Sequence, residues 1–467
     1  MDGLDVVVVG AGIGGLASAL ALARAGNRVS LVERDDTPMP PDPEAAFHWD
    51  RSGAPQVRHP HVFLGLARTI LRDRFPDVQR ALADLGIEPA PIGNDGPTRL
   101  DEATLAVLRA DDDLRMLPVR RTTFEWVMRR VVLAEPGIDL VLGRGVAGVE
   151  LHPADDGPPV VTGVRLEDGE VLPADLVVAT TGRRGDVPAW LDAHGITVTE
   201  TVGHAGVVYF SRFYRSDREE AFGFRAGFGA GLAAGVIGSD AGTFSITAVV
   251  DRNDKELRAH LSDSARFDAT MRLLPELADV FAVDSVPVLP VHWMTGLINR
   301  TRSFTDPSGT PLVRGLVACG DAHTCTNPAY GRGQSLALRQ AVFIADAVGE
   351  HDSLLEAARA YEAASAEQVT PLYHFSVLTD QMRAAAAAGG DPFEAAAEGR
   401  SDAFSAAFAN MGSDPELIRL VMRVMNLLEL PSALLARIPT SAPAAPPRPS
   451  GPKVKRPSRQ DILGVVA

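Results

Sequence analysis

Gly10, Gly12 and Gly15 stand in the spacing GxGxxG near the start of the chain. In that spacing the first glycine permits a tight turn, the second admits a pyrophosphate to the backbone, and the third lets a helix pack closely on a strand. Glu33 follows at the distance of a carboxylate that binds ribose hydroxyls, and its charge would repel a 2′-phosphate. The chemistry indicated is dinucleotide binding, FAD or NAD rather than NADP. Gly10, Gly12, Ile13, Gly14, Gly15, Glu33 and Arg34 are its expected contacts.

The surrounding pattern supplies the elements these residues need. Leu4 to Val9 reads as a buried strand, Leu16 to Arg24 carries helical apolar spacing, Gly26 sits where a C-cap glycine belongs, and Val29 to Val32 reads as a second strand. This is a βαβ unit, with the helix N-terminus aimed at the phosphate.

A second strand–loop–helix lies far downstream. Leu312 to Cys319 reads as a buried strand, followed by Gly320-Asp321-Ala322-His323, Asn327-Pro328, Gly331-Arg332-Gly333 and an apolar-periodic helix from Ser335 to Val348. The segment GDAHTCTNPAYGRGQSLA resembles the GD motif of the para-hydroxybenzoate hydroxylase-like flavoprotein monooxygenases. The resemblance implies FAD, with Asp321 on its ribityl chain and Pro328, Gly331 and Gly333 along the flavin. A helix N-terminus at the flavin pyrimidine edge would stabilise the negative charge of the reduced ring.

Arg51 to His61 (RSGAPQVRHPH) resembles the RxGxPQxRHxH signature of the branch grouped with squalene-epoxidase-like enzymes. Arg58 suits forked contacts with phosphate or flavin, and His59 and His61 project alike if the segment is extended. Arg58, His59 and His61 are therefore the expected polar groups facing the reaction space. Two histidines at i, i+2 could also ligate a metal, but no third ligand is evident near them, and no metal is expected.

Val119 to Val127 looks like the start of the helix whose arginine contacts FAD in this superfamily. Arg121 fits that position, leaving Arg120 and Arg129 as expected surface charges, and Val146 falls where a strand backbone meets the adenine. One departure stands out: phenol-hydroxylating relatives carry Asp-Gly where this chain reads Thr180-Thr181-Gly182-Arg183. Gly182 keeps the FAD turn, but the displaced acid leaves two electron sources open, NAD(P)H bound transiently or a separate flavin reductase.

Between the motifs, Gly206 to Tyr214, Phe222 to Ile237 and Phe244 to Val250 read as three adjacent antiparallel strands, with Val286 to Trp293 as a fourth. The resemblance places a flavin roof and substrate pocket there. Phe210, Phe213, Tyr214, Phe222, Phe224, Phe228 and Trp293 are candidate walls. The glycine-rich Gly223 to Gly238 stretch predicts bulges or the close approach of another surface. Ser413-Asp414-Pro415-Glu416 starts a helix, and the tail from Pro439 is proline-rich and basic, either an arm or a strap on the acidic body.

The expected fold is α/β: a Rossmann-like FAD-binding domain with an inserted antiparallel β-sheet substrate domain and C-terminal α-helices. Its units are 1–190 (FAD-binding, GxGxxG), 191–304 (substrate sheet), 305–350 (FAD-binding, GD motif), 351–438 (helical cap) and 439–467 (tail).

The 467 residues carry 45 Lys and Arg against 60 Asp and Glu, a net charge of −15 that disfavours nucleic acid as the main partner. Two cysteines, Cys319 and Cys325, exclude a disulfide framework and fit a reducing compartment. No signal-peptide pattern opens the chain, and no stretch approaches the roughly 20 apolar residues that span a bilayer. A cytoplasmic protein without a stable membrane anchor is expected. The resemblance implies a monooxygenase that hydroxylates or epoxidises a lipophilic or aromatic small molecule with O₂, through a flavin C4a-hydroperoxide. The alternatives are an FAD-dependent reductase of C=C bonds in a prenyl-like substrate and a flavin-binding scaffold without turnover. A halogenase is disfavoured because no WxWxIP is present.

Overall fold

β1 (Asp5–Val9) is DVVVV, a run too apolar to show one face to water, and β2 (Arg28–Glu33) and β3 (Ile138–Leu142) extend it in parallel. An antiparallel meander of β4 (Val146–His152), β5 (Val160–Leu166) and β6 (Val171–Pro173) then leads to β7 (Leu176–Ala179). The computed structural model describes residues 3–91, 101–216, 225–229, 231–281, 285–387, 414–437 and 456–465.

The chain leaves this sheet for β8 (Thr199–His204), β9 (Val207–Ser216), β10 (Arg225–Gly229), β11 (Leu232–Gly238), β12 (Thr243–Asp251), β13 (Ser285–Pro287), β14 (His292–Met294) and β15 (Ile298–Ser303). It returns at β16 (Leu316–Ala318), and β17 (Thr324–Cys325) follows. The parallel sheet has the order β16-β7-β1-β2-β3, so β7 separates the strand before the first glycine turn from the strand before Asp321. Val6 and Val8 pack under the helices Ile13–Arg24 and Arg332–Glu350, while Val7 and Val9 pack on the meander. Burial on both faces explains the unbroken apolar strands.

The second sheet is antiparallel, in the order β10-β11-β12-β9-β13 with β14 also on β9. A strand expected as a single run divides here. The Val286 to Trp293 stretch is two short strands on β9, because Pro287 and Pro290 offer no N–H to continue one ladder. Phe222 and Phe224 lie outside the described residues, as does the Phe228 side chain.

β9 assigns its two faces by alternation. Phe210, Arg212 and Tyr214 point to the outer helices, where Arg212 pairs with Asp268 and Tyr214 stacks on Phe244. Tyr209, Ser211, Phe213 and Arg215 point to the nucleotide half and meet Asn327, His59, Phe47 and Glu44 respectively. Phe210 and Tyr214 are therefore core residues of the outer layer, and among the β9 aromatics expected as pocket walls Phe213 alone faces inward.

Gly227 and Gly229 leave room for that outer layer: a Cβ on them would stand 3.2–3.3 Å from Leu274, Leu277 or Ile462. Close approach, the second of the two expectations for the glycine-rich stretch, accounts for these positions. Ile462, on the short helix Arg459–Leu463, is fully buried against this layer, and Arg459 pairs with Asp254 and Glu256. This end of the tail is a strap.

Candidate functional site

The glycine turn has the shape its spacing implies. A Cβ on Gly15 would lie 1.8 Å from the carbonyl oxygen of Gly10, so helix and strand are in backbone contact there, whereas a Cβ on Gly12 would meet nothing within 4 Å. Gly12 thus faces open space at the N-terminus of the helix Ile13–Arg24, which has no side-chain cap. A pyrophosphate fits this cradle, since exposed N–H groups and the helix dipole both favour it.

Glu33 ends β2, buried, with Oε2 accepting from Ala11 N (2.9 Å) and Oε1 from Asp35 N (3.0 Å). Each carboxylate oxygen keeps a lone pair for a ribose hydroxyl. Beside it Arg51 is almost wholly buried and ion-paired with three acids: Glu125 at 2.8 Å, Asp35 at 3.0 Å and Glu33 at 3.6 Å. The guanidinium also lies over Trp49, as does that of Arg129. These buried ions depend on one another, because none is tolerable alone at that depth. Arg34 is exposed and turned away from this cluster's buried side.

Two arginines expected at the surface are not there. Arg129 is 1% exposed, inside the cluster just described, and Arg120 is 3% exposed in a forked pair with Asp240 of the β11–β12 turn. Asp240 also accepts from Arg120 N and Thr123 Oγ1, so it caps the helix Arg121–Ala134 and fastens the second sheet to it. The helical spacing of these arginines carried no information about which face would be covered by another sheet.

At the other end of the parallel sheet Asp321 follows β16. Desolvation pushes its carboxyl up, and the nearby charges of Arg121, Arg183 and Arg300 oppose that shift. A Cβ on Gly333 would lie 3.6 Å from Asp321 Oδ1, and one on Gly331 (φ +65°) 3.2 Å from Val62. The glycine turn after Pro328 therefore threads between Asp321 and the 61–62 loop. Gly182, also at positive φ, opens the turn that brings Arg183 to Asp321. β15 steadies this region from below: Arg300 donates to the carbonyls of Arg183 and Asp321, and Arg302 to that of Ala322. Arg300 and Arg302 lie in no recognisable motif, and nothing in their spacing marks them before the fold is known.

The helix Arg332–Glu350 starts here, and both side-chain polar atoms of Gln334 in its first turn are buried without a hydrogen-bond partner among the described residues. An orphaned amide at a helix N-terminus fits a ligand with donors and acceptors on one edge, as the flavin pyrimidine has. Gly12 and the helix N-terminus as donors, the carboxylates of Glu33 and Asp321 as acceptors and the Gln334 amide as both together suit FAD.

Arg58, His59 and His61 face different surroundings. Pro55–Arg58 is a 3₁₀ turn, and the chain becomes extended at His59. His59 is buried against the second sheet with Nδ1 2.8 Å from Ser211 Oγ, which lies 2.8 Å from Thr247 Oγ1. Burial, helped by His292, lowers the His59 pKa to about 4. His61 instead bonds the carbonyl of His59 and stands near Arg121; burial and that charge hold it well below the usual imidazole range. Arg58 is half-buried and, with His59, His292 and Trp293, lines a cavity of about 230 Å³ at the junction of loop and sheet. His61 thus joins Arg121 and Asp321, while Arg58 and His59 belong to the sheet side. Val146 opens β4 in a separate groove with Arg165, Trp190 and His194, two residues past Arg144, whose N–H bonds the Glu33 carbonyl.

The inner face of the second sheet stays partly open. By register Ala233, Gly235 and Ile237 of β11 and Thr247 and Val249 of β12 share the face of Tyr209 and Ser211. All five are half-buried and none is ionisable, whereas the alternate residues Leu232, Ala234, Val236, Ile246 and Ala248 are buried under the outer helices.

Comparison with known proteins agrees with this architecture. Residues 5–40 match the family of FAD dependent oxidoreductases. Protein Rv3254 of Mycobacterium tuberculosis is 26% identical over 404 residues, 80% of this chain and 79% of that protein. The flavin-dependent brominase Bmp2 superposes with a TM-score of 0.64 at 16% identity, over 93% of this chain and 98% of its own. The p-nitrophenol 4-monooxygenase PnpA of Pseudomonas putida DLL-E4 does so with a TM-score of 0.62 at 21% identity, over 92% and 100%. At these identities the two structures establish the fold, a Rossmann-like core with antiparallel sheet and C-terminal helices. Among the described residues no helix is long and apolar enough to cross a membrane.

Proposed function

We propose that this chain, an FAD-dependent oxidoreductase by its motif and fold, is a monooxygenase that hydroxylates or epoxidises an uncharged aromatic or lipophilic small molecule. One oxygen atom of O₂ enters the substrate, the other leaves as water, and NAD(P)H or a separate flavin reductase supplies the two electrons. The supporting observation is a juxtaposition: the Gly12 and Asp321 turns end two strands of one sheet with only β7 between them, beside a second sheet whose inner face on β11 and β12 is partly open and carries no ionisable side chain.

FAD held there supplies the redox and oxygen-activating chemistry. Gly12 and the helix N-terminus would bind its pyrophosphate, Glu33 the adenosine ribose, Asp321 the ribityl chain and Gln334 an edge of the flavin. Ala233, Gly235, Ile237, Thr247 and Val249 line the substrate space, where small side chains leave room for a flat ring and exclude water around it. Thr247 gives that space a hydroxyl, backed by Ser211 and the neutral His59, and these three orient a substrate oxygen.

The test is the visible spectrum of the purified protein before and after anaerobic NADH and then NADPH, followed by oxygen uptake with p-nitrophenol and other uncharged or weakly acidic phenols. A flavin band with substrate-dependent oxygen uptake supports a monooxygenase. Substrate turnover without oxygen uptake means a reductase. A protein that neither contains nor takes up FAD overturns the assignment.

A further inference from the structure

The helix Thr370–Ala387 places Phe375, Ser376, Thr379, Asp380 and Arg383 on one face by their spacing, and that face grips the loop from Asn327 to Arg332. Asp380 is 6% exposed, and its two oxygens accept from Asn327 Nδ2 (2.6 Å) and Asn299 Nδ2 (2.8 Å). Asn327 is fully buried: its N–H donates to Asn299 Oδ1, and its own Oδ1 accepts from Tyr209 OH (2.8 Å) and Ala329 N (3.2 Å). Tyr330 bonds Thr379, and the buried guanidinium of Arg332 is sandwiched between the rings of Tyr330 and Phe375 while donating to Ser376. Arg383 stands 3.6 Å from Asp380 and donates to the carbonyl of Ala205.

Asp380 of the C-terminal helix therefore joins two further elements directly, β15 through Asn299 and the loop after Asp321 through Asn327, and a third, β9, through Tyr209 on Asn327. Asparagine side chains present donors or acceptors equally, so an acceptor that accepts from both amides fixes their orientation. With both Nδ2 groups turned to Asp380, Asn327 Oδ1 faces the Tyr209 hydroxyl and Ala329 N, which sets the 3₁₀ turn Pro328–Tyr330 ahead of Gly331.

We propose that Asp380 is a positioning residue that locks this loop in the form that binds the flavin, so that the C-terminal helix clamps the cofactor without touching it. This rests on the FAD assignment above. Asp380 also brings a buried carboxylate beside Arg332 and Arg383, on the loop and helix it holds together.

The experiment compares holoprotein of the wild type, Asp380→Ala and Asp380→Asn by FAD retention on ultrafiltration, the visible band and the flavin midpoint potential, with circular dichroism as the check on folding. Loss of one or two buried hydrogen bonds predicts FAD binding about tenfold weaker in Asp380→Ala. Asp380→Asn keeps one accepting oxygen and lies between. Both variants lose the charge and are expected to show a more positive potential, which a merely structural contact would not produce. Should Asp380→Ala fail to fold, the isosteric Asp380→Asn alone carries the comparison. FAD retention, band and potential all unchanged in a folded variant overturn the clamp while leaving the FAD assignment intact. A wild type that holds no FAD overturns both.

Discussion

Ser211 Oγ and His59 Nδ1 lie 2.8 Å apart, across the seam between the second sheet and the 51–61 loop. The contact ties a histidine of a nucleotide-side motif to the inner face of the other sheet, and it keeps the imidazole in a site that disfavours its charged form.

His59 therefore predicts acid sensitivity. Its pKa is about 4 in the folded protein against 6.5 for the ordinary imidazole, so between those values the unfolded chain binds the extra proton. Stability is expected to fall as pH drops from 6.5 to 4 and to level off below, by about 3 kcal/mol in all at about 1.4 kcal/mol per unit. His61 is shifted in the same direction and adds to the slope. Urea unfolding at pH 5 and pH 7 measures it, and His59→Gln is expected to flatten the dependence; an equal slope in that variant would refute the assignment.

Two glycines of the nucleotide turn are expected to fail differently. Gly12→Val fills open space where the pyrophosphate belongs, so flavin should be lost while the melting of the FAD-free protein is unchanged. Gly15→Ala drives a methyl into the Gly10 carbonyl and is expected to cost about 1–3 kcal/mol even without FAD. Flavin content and thermal melting of both variants separate a ligand-facing glycine from a packing one.

Arg51 is the centre of the buried ion cluster. Arg51→Met leaves Glu33, Asp35 and Glu125 without their shared partner, and truncating one side of such a cluster is expected to cost about 3 kcal/mol in urea unfolding at pH 7. Against desolvation, hydrogen bonds from Thr37 and the charge of Arg51 hold the Asp35 carboxyl below its usual value; without Arg51 it takes up a proton at higher pH, so the deficit relative to wild type should narrow as pH is lowered towards 5. A deficit that stays constant across that range would mean the loss is one of packing over Trp49 rather than of charge.

The parts of this molecule written in its sequence are those fixed by local rules. The Gly10 to Gly15 turn and the Asp321 turn each combine a strand period with a backbone position that favours glycine, the acid ending β2 follows from the strand alone, and the fold bears out the sheet they imply. Arg120 and Arg129 read as surface charges in the sequence but are buried, because their burial depends on Asp240 and on the Trp49 cluster, far away in the chain. His59 and His61 project alike only if their segment is extended throughout, and the 3₁₀ turn before them sends one to the sheet and one to Arg121. The aromatics of β9 show the same limit: alternation says that Phe210 and Phe213 face opposite ways but not which layer lies on which side. Asp380 and Gln334 are not legible in the sequence, because a helix rich in alanine and a glutamine after a glycine turn carry no pattern until the loop between them is in place.

The strap at the chain end gives a contrast between charge and burial. Arg459 reaches Asp254 and Glu256 but is itself 41% exposed along its side chain, and exposed ion pairs contribute about 1 kcal/mol or less, so Arg459→Ala should barely change the exchange of the Lys255–Leu261 helix amides. Ile462 is fully buried among Leu257, Leu274 and the open backbone of Gly229, and removing its side chain leaves a hole that three neighbouring elements line. Ile462→Ala is expected to cost about 2–4 kcal/mol locally and to speed exchange in that helix and in β10 and β11 together. Hydrogen exchange followed by mass spectrometry resolves the two variants. If Arg459→Ala loosens these elements as much as Ile462→Ala, the strap is held by its charges, and raised salt should then release it in the wild type as well.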